Sequence, residues 1–195
     1  MKLRSLTDLL LYELWTLCDA KTQVTAGLLQ MSRLASNCDL VQELKAESDQ
    51  AKEHMYLIRT IISSYRAIPP VMSSAAINGL IASSEILFDR CGADGGALDA
   101  ALICTLLDVL YYELAKLERL RLYATLLSDW QTVSMLNTVL DDSIKTKHRL
   151  SELIWLCADL NSASSPKSIR TSAGTAAHSA HLETGSKVRK KRQGS

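Results

Sequence analysis

The sequence predicts an all-α protein built as a four-helix bundle, and three observations carry that expectation. Four long segments place apolar residues at helical spacing. Eight Gly and three Pro in 195 residues are too few for the turn signals an all-β chain needs about every 8–12 residues. One Phe stands beside long runs of Leu, Ala and Ile, a composition that favours helix.

The first segment runs from about Ser5 to Ala35. Ser5 with Asp8 three residues on forms a start of the capping-box kind. The second runs from about Cys38 to Tyr65, capped by Asn37 and halted before Pro69 and Pro70. A shorter apolar stretch, Ala75 to Phe88, makes one modest helix, and the glycine-rich CGADGG (91–96) punctuates after it. The third long helix is expected from about Leu98 to Leu126, and the fourth, capped by Ser128 or Asp129, to about Leu160. Each long helix, at roughly 28–32 residues, spans roughly 42–48 Å. Tight joins near residues 36–37 and 128 make two antiparallel hairpins, and the long connection between them crosses the bundle from end to end. That is ferritin-like connectivity, with a short crossover helix between the second and third long helices.

Residues 1–160 are thus expected to form the bundle. Residues 161–195 are small, polar and aperiodic, and their few apolar groups do not offset the entropy of ordering them, which predicts a disordered tail. Seven Lys or Arg against Glu183 give the tail +6. The body is therefore −5 in a chain whose net charge is +1. The run Lys187, Arg189, Lys190, Lys191 and Arg192 is suited to weak, non-specific, salt-sensitive contact with nucleic acid. No stretch is long and apolar enough to span a membrane. Glu13 interrupts the first apolar run too early for a signal-peptide core, so a cytoplasmic protein is expected. Five cysteines without CxxC spacing read as free thiols, with Cys104 and Cys157, set among apolar neighbours, acting as small hydrophobes.

The informative residues are those that interrupt the apolar stripes. Glu113 falls on the face of Leu106, Leu110 and Leu117, and Lys21 on that of Leu14, Leu17 and Leu28. Ser143 and Lys147 lie among Leu136, Leu140, Leu150 and Ile154, and Asp49 and Lys52 between Leu44 and Ile58. All sit near mid-helix, so an antiparallel bundle brings them to one height as a polar belt. A buried charge needs a partner. Glu113, Asp49 and Asp142 are therefore expected to face Lys21, Lys147 and Lys52.

LTDLLLYELWTLCDAKTQ, the Gly79-Leu80-Ile81 triplet and above all DAALICTLLDVLYYELA (99–115) resemble the YciE/YciF family of ferritin-like proteins, over about Leu6 to Leu156. The resemblance implies a four-helix bundle with an extra short helix, a relation to di-metal carboxylate proteins, a homodimer and an association with bacterial stress. The family's metal ligands carry over poorly. Its first-helix glutamate falls on Lys21, and the acidic pair and histidine of its second helix fall on Asp49, Gln50 and Lys52. Glu113 keeps the third-helix glutamate, Leu110 replaces the earlier carboxylate, and the fourth-helix positions fall near Ser143 and Lys147, with Asp142 one residue off.

The chemistry agrees. A ferritin-like centre takes two Glu-x-x-His pairs, and none occurs around His54, His148, His178 or His181. A charged lysine has no lone pair to ligate with. The expectation is a metal-free, cofactor-free, non-catalytic and stress-associated descendant whose di-metal centre has become a Lys/carboxylate belt. Its alternative is an oxidoreductase or metal-storage protein holding Fe or Mn through Glu113, Asp49, Asp142 and His54. A third reading is a structural or nucleic-acid-associated protein acting through its tail. Tyr111, Tyr112, Tyr123 and Trp130 offer aromatic surface suited to a homodimer.

Overall fold

The computed structural model describes residues 2–67, 73–91 and 95–164, with side chains as far as residue 155. Of the tail expected to be disordered from residue 161, residues 161–164 instead continue α5, whose helical periodicity runs past the expected end at Leu160, and residues 165–195 lie outside the described residues. Five helices follow in order: α1 (Leu6–Leu34), α2 (Cys38–Ser64), α3 (Ala75–Cys91), α4 (Gly95–Leu126) and α5 (Trp130–Ser164). α1 packs on α2 and α4, and α5 packs on the same two, so the long helices stand at the corners of a square while α3 lies against α4 and touches α1. Both hairpins are antiparallel and the second reverses on the first, the ferritin-like arrangement.

Each start has a local cause. Ser5 Oγ accepts from Asp8 N at 3.0 Å while Asp8 Oδ2 accepts from Ser5 N at 3.1 Å, a complete capping box. Asn37 Oδ1 accepts from the backbone N–H groups of Asp39 and Leu40 and so caps α2. α4 begins at Gly95, ahead of the expected Leu98, because its first turn is stitched to the α1–α2 turn. Asp99, 4% exposed, accepts from Ser36 N (2.8 Å), Ser36 Oγ (2.7 Å) and Asn37 N (2.9 Å). A Cβ on Gly95 would stand 2.7 Å from Ser36 Oγ, so a glycine is needed at this approach. At the opposite end, Tyr65 Oη donates to Asp129 Oδ2 at 2.6 Å and ties the end of α2 to the α4–α5 turn. Burial and this bond push the Tyr65 hydroxyl up to about 12.

The buried stripes step by fours and threes, the rhythm of knobs-into-holes packing. On α1 they are Leu10, Leu14, Leu17, Lys21, Val24, Leu28 and Met31. On α2 they are Leu40, Leu44, Glu47, Ala51, His54, Ile58 and Ile61, and on α5 Thr132, Leu136, Val139, Ser143, Thr146 and Leu150. The apolar members fall into two blocks. One gathers Leu14, Leu17, Ile58, Leu117 and Leu136, and the other Val24, Leu28, Leu44, Leu106 and Leu150. Each fully buried leucine contributes about 1.5–3 kcal/mol, so the blocks supply the driving force for folding. What lies between them is polar.

The free thiols differ from expectation at Cys104, which is exposed: Leu102, Ile103 and Leu106 occupy the inward positions around it. The side chain of Cys157 lies outside the described residues. Among the described residues, no helix is long and apolar enough to cross a membrane.

Candidate functional site

The layer between the two apolar blocks takes one or more residues from each long helix: Lys21 from α1, Glu47 and His54 from α2, Glu113 from α4, and Ser143 and Thr146 from α5. None is more than 2% exposed. The helical rhythm places them there, because each occupies a position where the three-four stepping would otherwise set a leucine.

Lys21 Nζ lies 2.7 Å from Glu113 Oε2, and both side chains are almost wholly removed from water. Glu47 shares this space. Burial pushes its carboxyl above the ordinary range against the pull of the Lys21 charge, and the Glu113 charge adds to the rise. His54 stands on the other side. Burial, and then the Lys21 charge, push its imidazole down to about 4, so it is neutral at pH 7. Its Nε2 is 3.7 Å from Asp142 Oδ2, too long for a hydrogen bond. Thr146 Oγ1 donates to Gln50 Oε1 at 3.1 Å and accepts from Arg149 Nη2 at 2.9 Å, and Arg149 Nε donates to Glu43 Oε1 at 2.8 Å. This chain leads from the layer to the α2–α5 surface. Glu47 Oε2, Glu113 Oε1, Ser143 Oγ, both His54 nitrogens and, its ion pair with Glu113 aside, Lys21 Nζ have no hydrogen-bond partner among the described residues. A second sequestered pair, Lys116 with Glu13, lies on the α1–α4 seam below the Tyr112 ring.

Of the residues expected in the belt, the structure brings Lys21, Glu113 and Ser143 together. Asp142 stands at the edge, 29% exposed, with its acceptor turned to Lys145 at 2.9 Å. The Lys145 hydrogen bond holds its carboxyl below the usual range. Three residues do not join. Asp49 and Lys52 pair with each other at 2.7 Å on the solvent face, 78% and 61% exposed. Lys147 lies half-buried with its ammonium 5.7 Å from the centre of the Tyr111 ring. The physical reason is helical phase. Asp49 is two residues from Glu47 and two from Ala51, which turns it about 200° from the inward line at 100° per residue. Lys147 likewise follows the inward Thr146. The signal that finds Glu47 and His54 is the seven-residue run Leu44, Ala51, Ile58: its interleaved positions are 47 and 54.

A ferritin-like di-metal centre requires carboxylates and imidazoles from all four helices. Here α1 supplies an ammonium and α5 supplies two hydroxyls. The ammonium already neutralises Glu113. Among the described residues, no three His, Cys, Asp or Glu side chains stand together as a metal cage. Glu113, Asp49, Asp142 and His54, the alternative ligands, do not converge, because Asp49 faces solvent. The donor set does not fit a pair of divalent cations.

With this geometry in view, comparison with known proteins is decisive for kinship. The family model described as "Domain of unknown function (DUF892)" matches residues 5–159. The chain belongs to this family. Among solved structures, that of YciF, an E. coli stress protein, matches with a TM-score of 0.76 and 23% identity, covering 80% of this chain and 99% of that one. YcfI from Rhodopseudomonas palustris, described as a candidate structural protein, matches with a TM-score of 0.72 and 27% identity, covering 76% and 94%. Comparison with curated proteins gives no match. The YciE/YciF resemblance carried by residues 99–115 and the DUF892 match agree, and the fold is that of YciF.

The layer makes folding depend on pH in a direction that follows from His54. Its folded pKa lies below its unfolded value of 6.5, so as pH falls through 6.5 the unfolded chain takes up a proton that the folded chain refuses. Stability is therefore complete above pH 6.5 and is lost as pH falls toward 4. Glu47, with its folded pKa raised, acts in the opposite direction: its contribution is present at low pH and lost as pH rises through its folded value. Urea unfolding at pH 7 and pH 4 isolates the histidine. His54→Gln should lower the pH-dependent loss by about 3 kcal/mol relative to wild type, and Glu47→Gln should steepen the remaining acid limb.

Proposed function

We propose that this DUF892 protein is a non-catalytic, stress-associated bundle protein in which the Lys21–Glu113 pair stands where related ferritin-like proteins hold metal. The observation that carries this reading is the 2.7 Å contact between Lys21 Nζ and Glu113 Oε2 at 0% and 1% exposure. An ammonium inside the bundle supplies the positive charge a buried carboxylate needs. It carries three donors and offers no lone pair to a metal or a substrate. Likeness to a stress protein and to a candidate structural protein supports the physiological part.

Metal analysis tests the chemical part. Protein purified from iron- and manganese-supplemented cells should carry substoichiometric metal, and millimolar manganese should leave its melting temperature unchanged. Two tightly held ions per chain would overturn the reading in favour of a redox or storage centre. A cellular level that stays constant through osmotic, oxidative and stationary-phase challenge would remove the stress assignment.

A homodimer belongs to the same proposal. Tyr111 and Trp130 are 57% and 65% exposed, whereas Tyr112 and Tyr123 are partly buried against the two apolar blocks. Light scattering should give a species of twice the 21.5 kDa chain, and Tyr111→Glu with Trp130→Glu should return it to one chain. A monomer at high concentration rejects the dimer.

A further inference from the structure

Away from the polar layer, α1, α3 and α4 line a largely apolar pocket of about 160 Å3 that opens to the surface. Val24, Leu28, Met31, Ile81, Phe88 and Val109 form much of its wall. A cavity of about 150 Å3 is large enough to hold a guest the size of benzene.

Two independent features mark it as more than a packing defect. Gly27 is part of the wall, inside α1, where glycine weakens a helix. A Cβ built there meets no atom within 4 Å, so no close approach of backbone calls for glycine at this position. What a side chain would do is narrow the cavity. The second feature is charge. Among the described residues lining the cavity, Glu85 alone is charged, and Gln23, Gln30, Ser84 and Thr105 are its neutral polar members. An aliphatic carboxylate entering here would meet a like charge. A hydroxyl would instead donate to Glu85.

We propose that this cavity binds a small neutral molecule with a short aliphatic chain and a hydroxyl head, the chain lying along Gly27 and the head at Glu85. Such a guest would bridge α1 and α3, which touch little elsewhere.

The test uses the full chain and hexan-1-ol, followed through the methyl resonances of Met31 and Ile81. Saturable shifts of both are expected, with hexanoate binding at least about tenfold more weakly because of Glu85. Gly27→Leu, which fills the space, should weaken hexan-1-ol at least about tenfold, with the helical circular dichroism retained. Gly27→Ala, the milder variant, should weaken it less and serves as the measure where the leucine variant does not fold. Absence of saturable shifts, equal binding of hexanoate, or unchanged affinity in the variant overturns the proposal. So does a dimer that Leu34→Glu converts to monomer, since Leu34, 49% exposed, lines the same cavity and its mouth would then be a contact between copies.

Discussion

Replacing Lys21 with methionine should lower the unfolding free energy by about 3–5 kcal/mol, the cost of leaving a buried charge without its partner. Methionine keeps the unbranched apolar stem, so packing changes little. What changes is that Glu113, 1% exposed, loses the cation 2.7 Å away while Glu47 remains beside it. Two buried carboxylates then share one space with no cation between them, which favours protonation of one of them. Glu113→Gln should cost a comparable amount for the mirror-image reason, an ammonium without an anion. The double variant Lys21→Met with Glu113→Leu should return to within about 1 kcal/mol of wild type or exceed it by up to about 4, because desolvation cost and Coulomb gain are removed together. Urea unfolding at pH 7 reads all three, and the effect should appear in the midpoint rather than the slope. A single-variant cost below about 1 kcal/mol would mean that the pair is reached by water and the layer is not a structural centre.

Asp99→Ala should cost about 3 kcal/mol, the second largest effect expected. Its carboxylate accepts three hydrogen bonds from the α1–α2 turn at 2.7–2.9 Å and so fastens that turn to the start of α4. Removing it leaves two backbone N–H groups and a hydroxyl without their acceptor. Asp99→Asn keeps the shape but loses the charge and should recover part of the loss. Gly95→Ala should weaken the same joint despite the helical preference of alanine, because its Cβ would press on Ser36 Oγ at 2.7 Å and push it off Asp99. Thermal unfolding of the three variants checks the order: Asp99→Ala the least stable, Asp99→Asn intermediate. An Asp99→Ala melting point equal to wild type would show that the turn does not need this anchor.

The contrast between these two sites shows what reads out of a linear chain. Lys21 and Glu113 were legible because each interrupts a clean leucine stripe, and a charge set among leucines at helical spacing has few places to go. Asp99 carried no such signal. It lies at the end of a helix where acidic residues are common, and its partners, Ser36 and Asn37, are more than sixty residues away. On α2 the stripe is thinner, with alanine at position 51 and charged residues on every side, so the sequence points to Asp49, two residues after Glu47, and to Lys52, two residues before His54. The error is one of phase, and in a helix two residues amount to the opposite face.

Helix number, order and connectivity were determined by the sequence itself, because periodic apolar burial, caps and breakers act over a few residues and leave a local record. That Lys21 and Glu113 face inward was also implied by it, since each interrupts an apolar stripe, but which belt charges meet was not. Only the tertiary structure decided which α2 side chains enter the layer, that His54 is held neutral and that Asp99 joins two helix ends. Those outcomes depend on the rotation of each helix about its own axis and on contacts between distant segments. Rotation is set by the packing of four helices together, and no single segment contains that information.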